Sequence, residues 1–169
     1  MKSTMALSSL FTAVALLFTG VGLFIFFSNI ELTNAGVSSE KIGLINAGFY
    51  LGALLSGIIA QRWVAKVGHI RAFALFTAVI IICILLHVVV QNEIALIVFR
   101  VMVGFSDYSL LMVVESWLNA RSSNQNRSSI LAVYTMIFYM AFMLASLVIA
   151  TPIESATMYV LCAILAAAS

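Results

Sequence analysis

Five long apolar runs, separated by short polar stretches, organise this chain. They fall at about 6–30, 40–61, 71–91, 94–118 and 129–150, and a sixth begins near 156. Each of the five matches the length of about 18 or more apolar residues that crosses a hydrocarbon core about 30 Å thick. The connections read "ELTNAGVSSE", "QRWVAKVGHIR", "QNE", "NARSSNQNRSS" and "TPIES". The single proline, Pro152, sits in the last connection, where its missing N–H suits a helix boundary. The serines of "VSSEK" are placed to cap the second helix, with Glu40 near its positive end. The opening lysine and apolar run look like a secretory leader, but the run continues past twenty residues, beyond the 7–15 of a leader's apolar core. It reads as a first span that stays in the protein.

Composition sharpens this picture. Of 169 residues, 64% are hydrophobic and 8% charged, and the mean hydropathy is +1.18. A soluble domain carries about a quarter charged residues, so this chain has too few to cover a wet surface. The net charge of +2, with no basic cluster, argues against nucleic acid. No zinc-ligand spacing occurs, and no cofactor is implied. Cys83 and Cys162 lie in apolar segments and read as buried free thiols. The distribution of basic residues sets a direction. Lys2, Arg62, Lys66, Arg71, Arg121 and Arg127 fall at one set of ends, whereas Glu31, Glu40, Glu93 and Glu154 fall at the other, with Lys41 the exception. Cytoplasmic connections retain Lys and Arg, so the N-terminus is expected inside the cell. From Met158 to Ser169 there is only about 18 Å of helix at 1.5 Å per residue. The sixth span therefore falls short of a crossing, which is read as truncation of a longer chain.

The fourth run carries the candidate chemistry. "RVMVGFSDYSLLMVVES" holds Arg100, Asp107 and Glu115 in an otherwise apolar stretch. At 100° per residue, Asp107 is turned about 20° from Arg100, and Glu115 about 60° the other way. A mid-membrane Asp or Arg costs about 2.5–3.5 kcal/mol each, so such residues face a bundle interior or a wet cavity. Arg100 and Asp107 are about 10.5 Å apart along the axis, too far to pair directly. Each needs a partner on another helix, a water or a substrate; a purely structural network of buried charges is the competing reading. Asn29, Asn46, Tyr50, Tyr134 and Tyr139 are other polar residues that could share that interior. His87 reads as a satisfied or interfacial histidine rather than a proton relay. Gly48, Gly52 and Ser56 recur every four residues, a small-residue stripe that predicts a close helix seam. An intramembrane enzyme would need a nucleophile–base pair or paired aspartates. There is one aspartate, no G-x-S-x-G and no H-E-x-x-H. The chain is therefore not read as an enzyme.

These pieces resemble the N-terminal half of a major facilitator superfamily transporter. "KVGHIR" is similar to the family's basic loop between helices two and three. Lys66, Gly68 and Arg71 match its basic and glycine positions, while Ala65 and Gln61 depart from it. "RVMVGFS" resembles the fourth-helix motif R-x-x-x-G-x-G: Arg100 and Gly104 match, and Ser106 replaces the second glycine. "VVESWLNARSSNQNRSS" resembles the YcaD-like branch. The resemblance implies an all-α transmembrane fold: a six-helix half-bundle built as inverted three-helix repeats, with the sixth helix cut short and the C-terminal half missing. It implies a proton-coupled secondary transporter of a small solute in a bacterial inner membrane. Arg100, Asp107, Asn46, Tyr50 and Tyr134 would line the substrate or proton pathway, and Lys66, Gly68, Arg71 and Glu115 would form a cytoplasmic gate. A non-transporting multi-span protein, or a half-size transporter acting as a dimer, are the alternatives.

Overall fold

A computed structural model describes residues 2–90, 92–151 and 153–169, the first five of them as backbone only. The described residues form six helices: α1 (Lys2–Asn34), α2 (Ser39–Val67), α3 (His69–Val89), α4 (Glu93–Arg121), α5 (Arg127–Val148) and α6 (Ser155–Ala167). Five are long and apolar enough to cross a membrane, and α6 is shorter. The boundary assigned to Pro152 lies outside the described residues.

The helices outrun the apolar runs, most clearly in α2. "RWVAK" reads from hydropathy as part of a connection, yet it continues the helix to Val67. Arg, Ala and Lys are good helix formers, and nothing there breaks the backbone. The break comes at Gly68, whose φ of 83° suits a residue without a Cβ. Ser38 occupies the N-cap position of α2, but contrary to expectation its side chain makes no capping bond. Asn92 caps α4 instead: its Oδ1 accepts from the backbone N–H groups of Ile94 (3.0 Å) and Ala95 (3.2 Å).

α2 lies along α4, and α5 along α1; α3 packs on α4, α6 on α1, and α3 on α6. Exchanging α1–α3 with α4–α6 reproduces these five contacts, the pattern of two repeats that share one plan. The core between the helices centres on α1 (Val14, Leu17, Phe18, Val21, Phe24) and α4 (Val103, Leu110, Val113, Val114), with buried residues of α3, α5 and α6 packed into the same cluster. α2 meets α4 through the small-residue stripe. Gly48, Gly52, Ser56 and Ala60 are all buried on that face. A Cβ on Gly52 would stand 2.0 Å from the Val101 carbonyl oxygen, and one on Gly104 would stand 2.0 Å from that of Phe49. The two main chains therefore touch, which is how helices associate where water supplies no hydrophobic drive. One turn further on, the Ser56 and Ser109 hydroxyls lie 3.0 Å apart. Ser109 donates to the Phe105 carbonyl (2.6 Å), so Ser56 is the donor between them.

Both ends are polar. At the acidic end, Lys41 at the start of α2 pairs with Glu93 at the start of α4. At the basic end, His69 Nε2 lies 3.0 Å from the Ser116 hydroxyl, holding the α2–α3 turn to α4.

Candidate functional site

Residues 96, 100, 103, 107, 110 and 114 of α4 follow the i, i+4, i+7 spacing of one helix face. All six are buried. Arg100 and Asp107 thus sit in one stripe among Leu96, Val103, Leu110 and Val114, with only 1% and 4% of their surface exposed. Glu115 does not share this burial. Its rotation brings it into an open groove of about 600 Å³ at the basic end, beside Gln61, His69 and Ser116.

Among the described residues, the side chains that hold Arg100 all belong to α1. Its Nη2 donates to Ser28 Oγ (2.6 Å) and to Asn29 Oδ1 (3.3 Å), and its guanidinium lies over the Phe24 ring at 5.0 Å. Ser28 in turn donates to the Phe24 carbonyl at 2.6 Å. Phe24, Ser28 and Asn29 lie within a six-residue stretch of α1, so one helix supplies a ring, a hydroxyl and an amide to one cation. No carboxylate lies within ion-pair distance of Arg100 among the described residues, and its Nε has no partner. A buried guanidinium held by neutral acceptors alone is weakly compensated, because bonds to charged acceptors are roughly twice as strong.

Asp107 is the opposite case. Its Oδ1 is buried without a hydrogen-bond partner. The Tyr134 hydroxyl of α5 is likewise buried and unpartnered. Asn46 is half-buried, and Tyr50 is 67% exposed with its ring against Phe49. Neither hydrogen-bonds to Arg100 or Asp107 among the described residues.

Of the gate candidates, Lys66 lies in the last turn of α2, Gly68 forms the turn and Arg71 is exposed in the first turn of α3. Glu115 makes no ion pair with them in this arrangement. Arg71 shares a shallow groove with Trp117 and Arg121, whose guanidinium lies over the Trp117 ring at 5.4 Å.

His87 is satisfied, as its sequence context suggested. Its Nδ1 donates to the Cys83 carbonyl at 2.7 Å. Its ring stands among Phe24 (4.8 Å), Phe99 (5.5 Å) and Tyr159 (6.1 Å). Sequence reasoning missed Ser28, the arginine's shortest hydrogen-bond partner. The signal for Ser28 was present: "FFSNIE" places two adjacent polar residues in an apolar run, in a span predicted to share the interior with Arg100.

At the acidic end a cleft of about 640 Å³ opens between α1, α3, α4 and α6. Ser28, His87 and Tyr159 line it, with Glu31, Glu93 and Glu154 nearer the surface.

Comparison with known proteins agrees with this architecture. The chain is 25% identical over 107 residues to the MFS-type transporter YfkF of Bacillus subtilis, a match covering 63% of this chain and 27% of the relative. It is 25% identical over 119 residues to the MFS-type transporter YcaD of Salmonella newport, covering 70% of this chain and 31% of the relative. The matched region thus spans under a third of these relatives' length. No solved structure matches. The model of the Major Facilitator Superfamily matches residues 10–169, nearly the whole chain, and the protein is a multi-pass membrane protein of that superfamily.

Proposed function

We propose that this chain is the N-terminal half of a secondary active transporter that moves a small solute, coupled to protons, by alternating access between two six-helix halves. The observation that carries the reading is the α4 stripe. Among the described residues it buries an arginine that has no acid and an aspartate oxygen that has no donor, in a helix long and apolar enough to cross a membrane, where an ionised group at the centre costs about 2.5–3.5 kcal/mol.

In this reading Asp107 is the proton carrier, and Tyr134, whose hydroxyl is buried without a partner, lies on the proton's route. Arg100 holds the substrate or tunes the neighbouring carboxylate, and Asn46 and Tyr50 line the solute side. Lys66, Gly68, Arg71 and Glu115 close the basic end, which the positive-inside bias makes cytoplasmic. In the state closed at that end, Glu115 latches to Lys66 or Arg71. A second six-helix half completes the pathway, and the relatives' greater length supports this.

The test is flux in proteoliposomes containing the full-length protein, with a pH-sensitive dye in the lumen and a panel of solutes outside. Asp107→Asn should abolish solute-driven proton movement while leaving solute exchange. PH-gradient-driven uptake that is unchanged in Asp107→Asn would remove the carrier role.

A further inference from the structure

We infer that the basic end holds one anionic phospholipid, with its phosphate between Arg71 and Arg121 and an acyl chain in the crevice between α1, α3 and α4. The inference goes beyond the transport reading and does not depend on which solute is carried.

Two hollows adjoin at this end. The shallow groove, of about 350 Å³, has Gly68 and Arg71 at the start of α3 on one wall, and Trp117 and Arg121 at the end of α4 on the other. A second hollow, of about 270 Å³, is lined by Leu10 and Ala13 of α1, Phe73 of α3 and Ser169. Ile70 and Trp117 line both, so the two share a wall. The first is basic and the second mostly apolar. Charge followed by hydrocarbon is the order of parts in a phospholipid.

The charges at the groove are of one sign. Arg71 and Arg121 are both exposed, and neither makes an ion pair among the described residues. Glu115 is turned away from them. It precedes Trp117 by two residues, about 200° round α4, and lines the separate groove beside Gln61 and Asn119. His69 stands between the two grooves, with its Nε2 3.0 Å from the Ser116 hydroxyl. Arg121 follows Trp117 by four residues and so shares its face, with the guanidinium over the indole at 5.4 Å. Stacking occupies the face of that cation and leaves its edge N–H groups for an anion, which an arginine fork meets two oxygens at a time. α3 starts at this groove without a side-chain cap, so its first N–H groups add to the positive field that the arginines set up.

Depth and shape select a lipid. Arg71 is in the first turn of α3 and Arg121 ends α4, and both helices are long and apolar enough to cross a membrane. The groove therefore lies at the level of headgroups, where a tryptophan with an apolar body and one N–H is well placed. Basic pockets between spanning helices on the cytoplasmic side suit anionic headgroups, and the positive-inside bias favours that side for this end. A free phosphate would use the arginines and leave the crevice empty. A zwitterionic lipid would fill the crevice but bring its own cation against two arginines.

The experiment uses the full-length protein in nanodiscs of unlabelled phosphatidylcholine. Phosphatidylglycerol or phosphatidylcholine with brominated acyl chains is titrated in, and bromine quenches a nearby indole. The Trp117 signal is the difference between wild type and Trp117→Phe. Brominated phosphatidylglycerol should half-quench it at a fraction about tenfold lower than brominated phosphatidylcholine, as two arginines beside an anionic headgroup imply. Arg71→Gln combined with Arg121→Gln should bring the two lipids to parity. Arg62→Gln, at the same end but lining neither hollow, should keep the preference. Ala13→Phe, which fills the crevice, should weaken quenching by both lipids. Equal quenching by the two lipids in the wild type would overturn the inference. So would a preference that survives the double variant, because it would then come from net charge at that end. Loss of the preference in millimolar inorganic phosphate, with no effect of Ala13→Phe, would mean a free-anion site and would overturn the lipid assignment. If the double variant does not fold, Arg121→Gln alone should lower the preference about threefold, and an unchanged preference there overturns the inference.

Discussion

Arg100 shows how much one residue asks of its neighbours. Its guanidinium depends on Ser28 Oγ for its shortest bond, and both residues are buried. Ser28→Ala would leave a charged donor unsatisfied, at a cost of about 1–3 kcal/mol. The expected outcome is a lower unfolding midpoint in detergent, with Ser28→Thr retaining most of the wild-type value. The seam residues obey a harsher rule, because their obstacle is main chain that cannot rotate away. Gly52→Ala and Gly104→Ala should each destabilise by more than about 4 kcal/mol or fail to fold. Gly57 has nothing within 4 Å of its would-be Cβ, so Gly57→Ala on the same helix should be neutral or stabilising by about 0.4–1 kcal/mol. Thermal unfolding of the three variants side by side checks this contrast.

At the scale of elements, the apolar runs gave the number and order of helices, because 3.6-residue periodicity and length dominate in lipid. They did not give the ends. Lys66 and its neighbours are polar but helix-forming, so hydropathy stops before the backbone does, and only Gly68 marks the true break. Gly68→Ala must hold a positive φ with a Cβ present, at about 1–3 kcal/mol. It should loosen the α2–α3 turn, seen as faster amide exchange there and weaker contact between His69 and Ser116. The charged stripe of α4 was also legible, since Arg100 and Asp107 are seven residues apart and so share a face on any helix. Their partners were not. Which helix meets Arg100 is a tertiary fact, and a serine in an apolar run is compatible with any of several neighbours. Glu115 shows the converse: a rotation of about 60° suffices to carry a residue from the interior to an open groove.

For the whole molecule, resemblance through "RVMVGFS" and "KVGHIR" pointed to the half-bundle, and the contacts among the six helices repeat in the manner expected of two related triplets. Cys83 on α3 and Cys162 on α6 are both fully buried, one in each triplet. A bulky maleimide should therefore label neither thiol in the folded protein, and both after denaturation. Labelling of the native state would mean that the α3 and α6 layer opens. Main chain meets main chain at Gly52 and Gly104, so no cushion of rotamers remains there to absorb shear when the protein changes shape. α2 and α4 must travel as one beam. Nitroxide labels on their exposed faces should report the same mutual separation in every conformational state, and the whole displacement should appear between that beam and helices beyond it.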